Sequence, residues 1–500
     1  MDASVQSPRL STQVLWLLGA KLIAFSVSLA VPIVLTRAFS LREFGYYKQA
    51  FLIVMTACSI LPLGVNMSAF YYFWREKEKR TLVVTNILLF NLTVGTVGFI
   101  CFLAFPRLIV NLVGSEALVG LAPYIGLTIL LWICAGFLEV VATANEEVLY
   151  STAFIISAQV TKNLTMIGAA LMFHSIRAIL IAELIQSGVM LCILHWYLHS
   201  RFPGYWRHFD ARLFREQLSY AAPLGLAGLV YTLQTDLPNY FVSDGFGPEL
   251  FAVFSVGMTQ LPLNALLRDS VNSVLLGPVS RLQCEQNHRA ILDLLFRSAR
   301  KLALIYWPST ALLLIIGRDL INVVYTSKLD RSWPIFAINL VLLAGNVGMY
   351  DPVIRAFATQ RFFPLKVRLI QLFVMVGILY FFMHRMGLIG TAILIVLVGV
   401  SERIILAVQC VRLLGATIAD LKVFRALVPI FVSSVLAGLV AVIARFVVSN
   451  LEITVRLLIP SIFFAATYFG ALFAQNLLDA EERQIASALI GRIRFGTLPK

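Results

Sequence analysis

Lys21, Lys162, Arg268, Arg355 and Arg403 stand inside apolar runs long enough to cross a membrane. A cation at the centre of a bilayer costs roughly 2.5 to 3.5 kcal/mol on insertion scales, so each needs an acidic partner, a polar cavity or an anionic ligand. In a partly dehydrated cavity an ammonium or guanidinium is a natural ligand for phosphate oxygens, Lys as a point charge and Arg as a planar fork. Lys21, Lys162, Arg268 and Arg403 are therefore candidate anion-binding groups. Arg355 is weaker, because it lies near a predicted helix end from which a long side chain can snorkel to water.

The neighbours of these cations decide what they can do. Gln260, Asn264, Arg268 and Asn272 recur every fourth residue, which stacks them on one helix face. Two readings stand: a polar cavity wall suited to sugar hydroxyls or a phosphate oxygen, or amides that hold helix to helix. Six acids, Glu139, Glu183, Asp236, Asp269, Asp351 and Glu402, nearly balance the five cations, either as ion-pair partners or as proton carriers. Asp236 shares a face with Thr232, Thr235 and Asn239 beside Pro238, which frees a backbone carbonyl and bends a helix. Asp351 and Arg355 form an i, i+4 pair that can neutralise itself. The adjacent pairs Arg268/Asp269 and Glu402/Arg403 point about 100° apart, so the two members of each cannot face one surface.

The elements that must carry these residues are helices in lipid. Of 500 residues 59% are hydrophobic and 13% charged, with mean hydropathy +0.86, and apolar runs of membrane-spanning length recur throughout. The pattern predicts an all-α polytopic membrane protein of about 14 transmembrane helices. The predicted spans include 46 to 73, 249 to 275 and 333 to 359, and the charged segment Ser280 to Lys301 is expected as a cytoplasmic loop. The formal charge of +14 follows topology rather than nucleic acid: with the N-terminus inside, the inward segments hold about 24 Lys/Arg against about 8 outside. Both termini are expected in the cytoplasm. Predicted domains are an N-terminal six-helix bundle (1–200), a cytoplasmic connecting loop (201–216), a C-terminal six-helix bundle (217–411), two additional helices (412–475) and a cytoplasmic amphipathic tail (476–500). The six scattered cysteines form neither a CxxC pair nor a Cys/His cluster, so no metal site, disulfide framework or cofactor is expected.

The stretch Leu35 to Phe73, with its Arg37 to Tyr47 turn and Pro62-Leu63-Gly64 bend, followed by Trp74 to Arg80, resembles the opening of Wzx-type polysaccharide and O-antigen flippases. These belong to the multidrug/oligosaccharidyl-lipid/polysaccharide exporter superfamily. The resemblance implies two pseudo-symmetric six-helix bundles around a central cavity that opens alternately to each side. It also implies a substrate, undecaprenyl-diphosphate-linked oligosaccharide, carried from the cytoplasmic to the periplasmic leaflet of a bacterial inner membrane. The lipid-linked oligosaccharide and the bilayer are then the expected partners of a chain that works as a monomer, with a polysaccharide polymerase and chain-length machinery as further candidates. Phe39 to Phe51 and Phe246 to Gly257 both place aromatic and small residues at the turn into a helix, a weak internal repeat of the kind transporters use.

Three rivals are weighed against this reading. A lipid II-type flippase is the nearest. A drug or cation antiporter of the same superfamily is disfavoured, since the first helix presents Lys21 and no acid. An enzyme of lipid-linked glycan polymerisation needs a catalytic group held in a sizeable outward loop, and these loops are short. Neither a GxGxxG nor a Walker pattern occurs, so the chain is expected not to be an enzyme.

Overall fold

The computed structural model describes residues 19 and 27–477 except 208, 260, 261, 361 and 418, with backbone alone at 262, 263, 265, 266, 269, 358 and 421. Lys21, Gln260 and the predicted tail helix after 477 lie outside the described residues, and Asp269 is described by its backbone. In chain order the helices are α1 Ala30–Ala38, α2 Leu41–Ile60, α3 Ser68–Arg75, α4 Arg80–Ala104, α5 Leu108–Val113 and α6 Ala122–Ala135. There follow α7 Phe137–Ala144, α8 Val148–Phe173, α9 Ile176–Arg201, α10 Ala211–Gly257, α11 Pro262–Cys284 and α12 His288–Tyr325. The last are α13 Trp333–Ala344, α14 Asp351–Ala356, α15 Phe363–Leu414, α16 Val428–Val447 and α17 Ile453–Ala474.

Eight described helical stretches are long and apolar enough to cross a membrane, nine when the bent pair Leu41–Ile60 and Val65–Arg75 counts as one. Within this set α15 is broken at Gly387 (φ 66°), leaving arms 363–386 and 388–414 that are each of spanning length. Outward apolar side chains such as Phe446 (81% exposed) and Met172 (77%) have no reason to face water, and lipid is their natural solvent. The chain is an all-α, multi-pass membrane protein.

Two compact units are present, Met1–Val256 with Arg368–Thr391, and Gly257–Val367 with Ala392–Lys500. In the first, α2 packs along α10 by backbone contact at two places. A Cβ on Gly225 would lie 1.9 Å from the Leu63 carbonyl oxygen, at the bend where Gly64 takes φ 71°. A Cβ on Gly45 would lie 2.1 Å from the Pro248 carbonyl oxygen, next to the kink where Gly247 takes φ 77°. Phe39 to Phe51 and Phe246 to Gly257 thus touch where Gly45 meets Pro248, with Arg42 3.8 Å from Glu249 beside them. Between the two contacts the Gln49 amide donates to Ser243 Oγ (2.8 Å) and to the Val113 carbonyl (3.0 Å), and Ser115 Oγ donates to Gln49 Oε1 (2.7 Å). A fully buried amide with this many partners is satisfied rather than stranded. The apolar core of the unit gathers Phe73, Ile87, Phe137, Leu194 and Tyr205 near the ends of α3, α4, α7 and α9.

In the second unit α16 lays a stripe of small residues, Ala437, Gly438 and Ala441, against Ile315 of α12, the close approach that helix pairs in lipid depend on. Tyr468 of α17 donates its hydroxyl to the Leu304 carbonyl at 3.0 Å. Buried Asp319 binds Arg445 (2.8 Å) and Arg456 (3.4 Å), so the two last helices share one carboxylate on α12.

Three predicted spans are broken, each for a local reason. The span 46 to 73 bends by 45° after Ile60, where Gly64 is left-handed. The span 249 to 275 ends at Gly257 and restarts at Pro262, a residue suited to the first turn of a helix because it lacks the N–H that would be unpaired there. The span 333 to 359 stops at Ala344, since Gly345-Asn346-Val347-Gly348 leaves the helix and Gly348 is extended. Conversely, the charged segment Ser280 to Lys301 is not a loop but the helical ends of α11 and α12. They are joined by a tight turn that Asn287 caps through Oδ1 accepting from the Ala290 amide (3.2 Å).

Candidate functional site

The break after Ala344 positions most of the polar groups in the second unit. A helix C-terminus leaves carbonyls without intrahelical partners. Arg403, on the second arm of α15, donates Nη1 to one of them, the Leu342 carbonyl, at 2.6 Å. Gly345 makes room for it, since a Cβ there would lie 2.9 Å from the same nitrogen. A cation at this end also complements the helix dipole of α13. From the broken segment itself, Asn346 Nδ2 donates to Asn264 Oδ1 at 2.8 Å, and the Tyr306 hydroxyl donates to the Asn264 carbonyl at 3.3 Å.

Asn264, Arg268 and Asn272 do share a face of α11, as their spacing requires. Asn264 is tied to Asn346, and Asn272 Oδ1 is buried with no partner among the described residues. Arg268 is exposed and forms no ion pair among the described residues. It lies within electrostatic reach of both Arg403 and Tyr306, and Tyr350 lies within reach of Arg403. Arg403, Asn346, Asn264 and Tyr306 are thus joined around one interrupted helix, with Arg268 and Tyr350 within electrostatic reach. Like charges within electrostatic reach of each other repel, and an anion between them would relieve that repulsion. Glu402, next to Arg403, is half-buried and engaged within the protein. Arg355 lies on α14, which packs against α11, and is half-exposed with Asp351 at 3.7 Å. It is carried by a separate short helix rather than by a long span.

In the first unit the charges are met by neighbours. Lys162 of α8 places Nζ 3.6 Å from Glu183 of α9 and 3.5 Å from the centre of the Trp132 ring, with Phe51 at 5.6 Å. Trp132 Nε1 donates to the same carboxylate oxygen at 2.8 Å, so indole, ammonium and carboxylate form one closed triad. Glu183 Oε2 is buried and unpartnered among the described residues. Gln159, one turn before Lys162, donates to Asn163, the residue after it, at 3.3 Å. Asp236 accepts from Thr56 Oγ1 at 2.7 Å, linking the middle of α10 to α2. Glu139 of α7 is half-buried and likewise engaged. No group of three metal-ligating side chains occurs among the described residues.

Sequence spacing did not point to Asn346, Tyr350, Tyr306 or Trp132. The paired glycines Gly345 and Gly348 inside an apolar run were the available signal for the first two. Nothing local to Trp132 announces a partner 51 residues away.

A family model described as polysaccharide biosynthesis protein matches residues 34–334. That region contains Leu35 to Phe73, the stretch whose resemblance to Wzx-type flippases is noted above. No curated protein sequence matches the chain. Among solved structures, the lipid II flippase MurJ in an inward closed conformation superposes with TM-score 0.71 at 18% identity, covering 92% of this chain and 99% of that one. An outward-facing multidrug resistance MATE family transporter of the MOP superfamily gives TM-score 0.56 at 15% identity, over 82% and 96% of the two chains. A MOP superfamily transporter from Pyrococcus furiosus with a binding pocket of reverse polarity gives 0.53 at 17%, over 81% and 96%. At these identities the likeness is one of fold, while the family match extends over more than half the chain. The chain therefore belongs to the polysaccharide biosynthesis protein family and has the fold of the MOP superfamily transporters.

Proposed function

We propose that this chain flips undecaprenyl-diphosphate-linked oligosaccharide from the cytoplasmic to the periplasmic leaflet of the bacterial inner membrane by alternating access, with both termini in the cytoplasm. The observation that carries this reading is the interrupted helix where Arg403 holds the Leu342 carbonyl and Asn346 holds Asn264, with the exposed Arg268 one turn along α11 from Asn264. Arg268 binds the diphosphate, Arg403 holds the helix end that presents it, and the amides meet sugar hydroxyls. Lys21 and Lys162 are second-rank headgroup ligands, since Lys162 has Glu183 for a counter-charge and Lys21 lies outside the described residues. Asp236, Asp269, Asp351, Glu139, Glu183 and Glu402 balance charge or carry coupling protons. In this reading the bundles 1–200 and 217–411 rock about a central cavity, and helices 412–475 are additions to that pair.

A lipid II-type substrate is the second reading, favoured by the MurJ superposition. A cation exporter is disfavoured by the exposed guanidinium of Arg268. The test is flipping of fluorescent lipid-linked oligosaccharide in proteoliposomes, with lipid II as competitor. Arg268→Gln removes a charge-assisted hydrogen bond and is expected to lower the rate about ten-fold or more. Wild-type rates for Arg268→Gln, Arg403→Gln and the pair, at normal protein levels, would sink the proposal. Preferential competition by lipid II would transfer it to that substrate.

A further inference from the structure

The connector between α9 and α10 is built rather than slack. Phe202 to Tyr205 forms a β-turn closed by the Tyr205 amide donating to the Phe202 carbonyl at 3.1 Å. Pro203 takes its second position and Gly204 its third at φ 77°, the pattern of a type II turn. The Arg207 amide then donates to the Gly204 carbonyl at 2.9 Å. Tyr205 anchors the turn: it is buried, its carbonyl accepts from Thr85 Oγ1 of α4, and its hydroxyl meets His195 Nδ1 at 2.6 Å. Asp210 closes the connector. Its carbonyl accepts from Asn86 Nδ2 at 3.1 Å, and its Oδ1 accepts from the amides of Arg212 (2.9 Å) and Leu213 (3.0 Å) to cap α10.

These contacts hold open a cleft of about 840 Å³ against the first turns of α4, lined by Thr81, Thr85, Arg207, Asp210 and Arg212 among others. Its charge is positive in effect. The Asp210 carboxylate is spent on backbone amides at a helix start, where its charge is also offset by the dipole. Arg212 has Glu216 at 3.5 Å on the outer side, and Arg207 forms no ion pair among the described residues. Around the rim stand exposed aromatic rings: Trp206, stacked on His199 with centroids 5.4 Å apart, and Phe209. Aromatic residues of this kind settle at the headgroup level of a bilayer, and basic pockets beside membrane helices take anionic headgroups.

We infer that this cleft binds a phosphate group through Arg207 and Arg212, and that the exposed Trp206 and Phe209 place it where an anionic phospholipid of the adjacent leaflet can supply that phosphate. The site is separate from Arg268, and its sidedness follows the topology proposed above. A free phosphate ion has the same chemistry, so the experiment carries both sources. The full chain, purified in a neutral detergent, is titrated with phosphatidylglycerol, phosphatidylcholine or inorganic phosphate, and bound lipid and Tm are read for wild type and for Arg207→Gln/Arg212→Gln. Arg207 is exposed and bonds to the turn through its backbone amide, so the variant keeps the fold. Phosphatidylglycerol is expected to bind wild type in preference to phosphatidylcholine, and to bind the double variant more weakly by about five-fold per arginine removed. An arginine-dependent response to inorganic phosphate alone upholds the anion site and names the free ion as its occupant. Equal affinity of wild type and variant for phosphatidylglycerol and phosphate overturns the inference.

Discussion

A Glu183→Gln substitution keeps the hydrogen bond from Trp132, since an amide oxygen accepts as a carboxylate does, but strips Lys162 of its counter-charge. Glu183 is fully buried and Lys162 retains 17% of its side-chain exposure, so neither can be rescued by bulk water without local opening. Removing one partner of a buried pair costs about 3 to 5 kcal/mol, because the cost is that of the charge left behind. The indole face 3.5 Å from Nζ offsets about 2 kcal/mol of this when desolvated. A net loss of about 1 to 3 kcal/mol is therefore expected, read as a fall in Tm of the detergent-solubilised protein. The double variant Lys162→Met/Glu183→Leu removes both charges and should recover most of that loss, since apolar replacement of a buried pair is often neutral or better. If it also flips lipid-linked oligosaccharide at the wild-type rate, Lys162 is a structural cation. Unchanged Tm in Glu183→Gln, or a double variant no more stable than the single, refutes the reasoning.

Two further outcomes follow. Gly225→Ala places a methyl group 1.9 Å from the Leu63 carbonyl oxygen, backbone against backbone, and should cost about 1 to 3 kcal/mol or prevent folding, measured by Tm and membrane yield. Asp330 accepts both guanidinium bonds of Arg318 (2.8 and 2.7 Å), and these hold its carboxyl below the usual carboxylate range. A depressed folded pKa contributes stability that is complete above the unfolded value, about 3.9, and is lost as pH falls through the folded one. Asp330→Asn should therefore flatten the dependence of Tm on pH below about 4 and leave its shape above about 5 unchanged.

The membrane class and the face shared by Asn264, Arg268 and Asn272 were legible because both depend on local period and composition. Helix breaks were half legible. Pro62-Leu63-Gly64 reads as a bend, but Gly345 and Gly348 sit in a run apolar enough to be taken for one span, and stopping there is tolerable because Arg403 binds the Leu342 carbonyl while the Gly345 amide bonds its neighbours. The Lys162 triad was not legible. Its members come from α6, α8 and α9, and the spacing of Lys162 and Glu183 across a helix turn carries no register until the helices are packed. The Ser280 to Lys301 segment misled in the opposite sense, as its charges suggested a loop while Arg281 and Arg297 continue helical surfaces on either side of a short turn.

The two glycine contacts along α10 have a mechanical meaning. From Gly225 to Phe246, where the kink at Gly247 ends the arm, α10 runs 21 residues, about 32 Å of helix, close to roughly 30 Å of hydrocarbon, and Pro248 lies just past that end. An arm held by backbone contact at Gly225, and just past its other end at Pro248, is hindered from sliding or swivelling against its neighbour and is freest to bow at mid-length. Pro238 lowers the stiffness there by removing a backbone hydrogen bond. The Asp236 to Thr56 bond crosses from α10 to α2 at that same level, so it is the first contact a bow would stretch. The hydrogen bond between Asp236 and Thr56 would therefore register flexure of this arm before either end contact did.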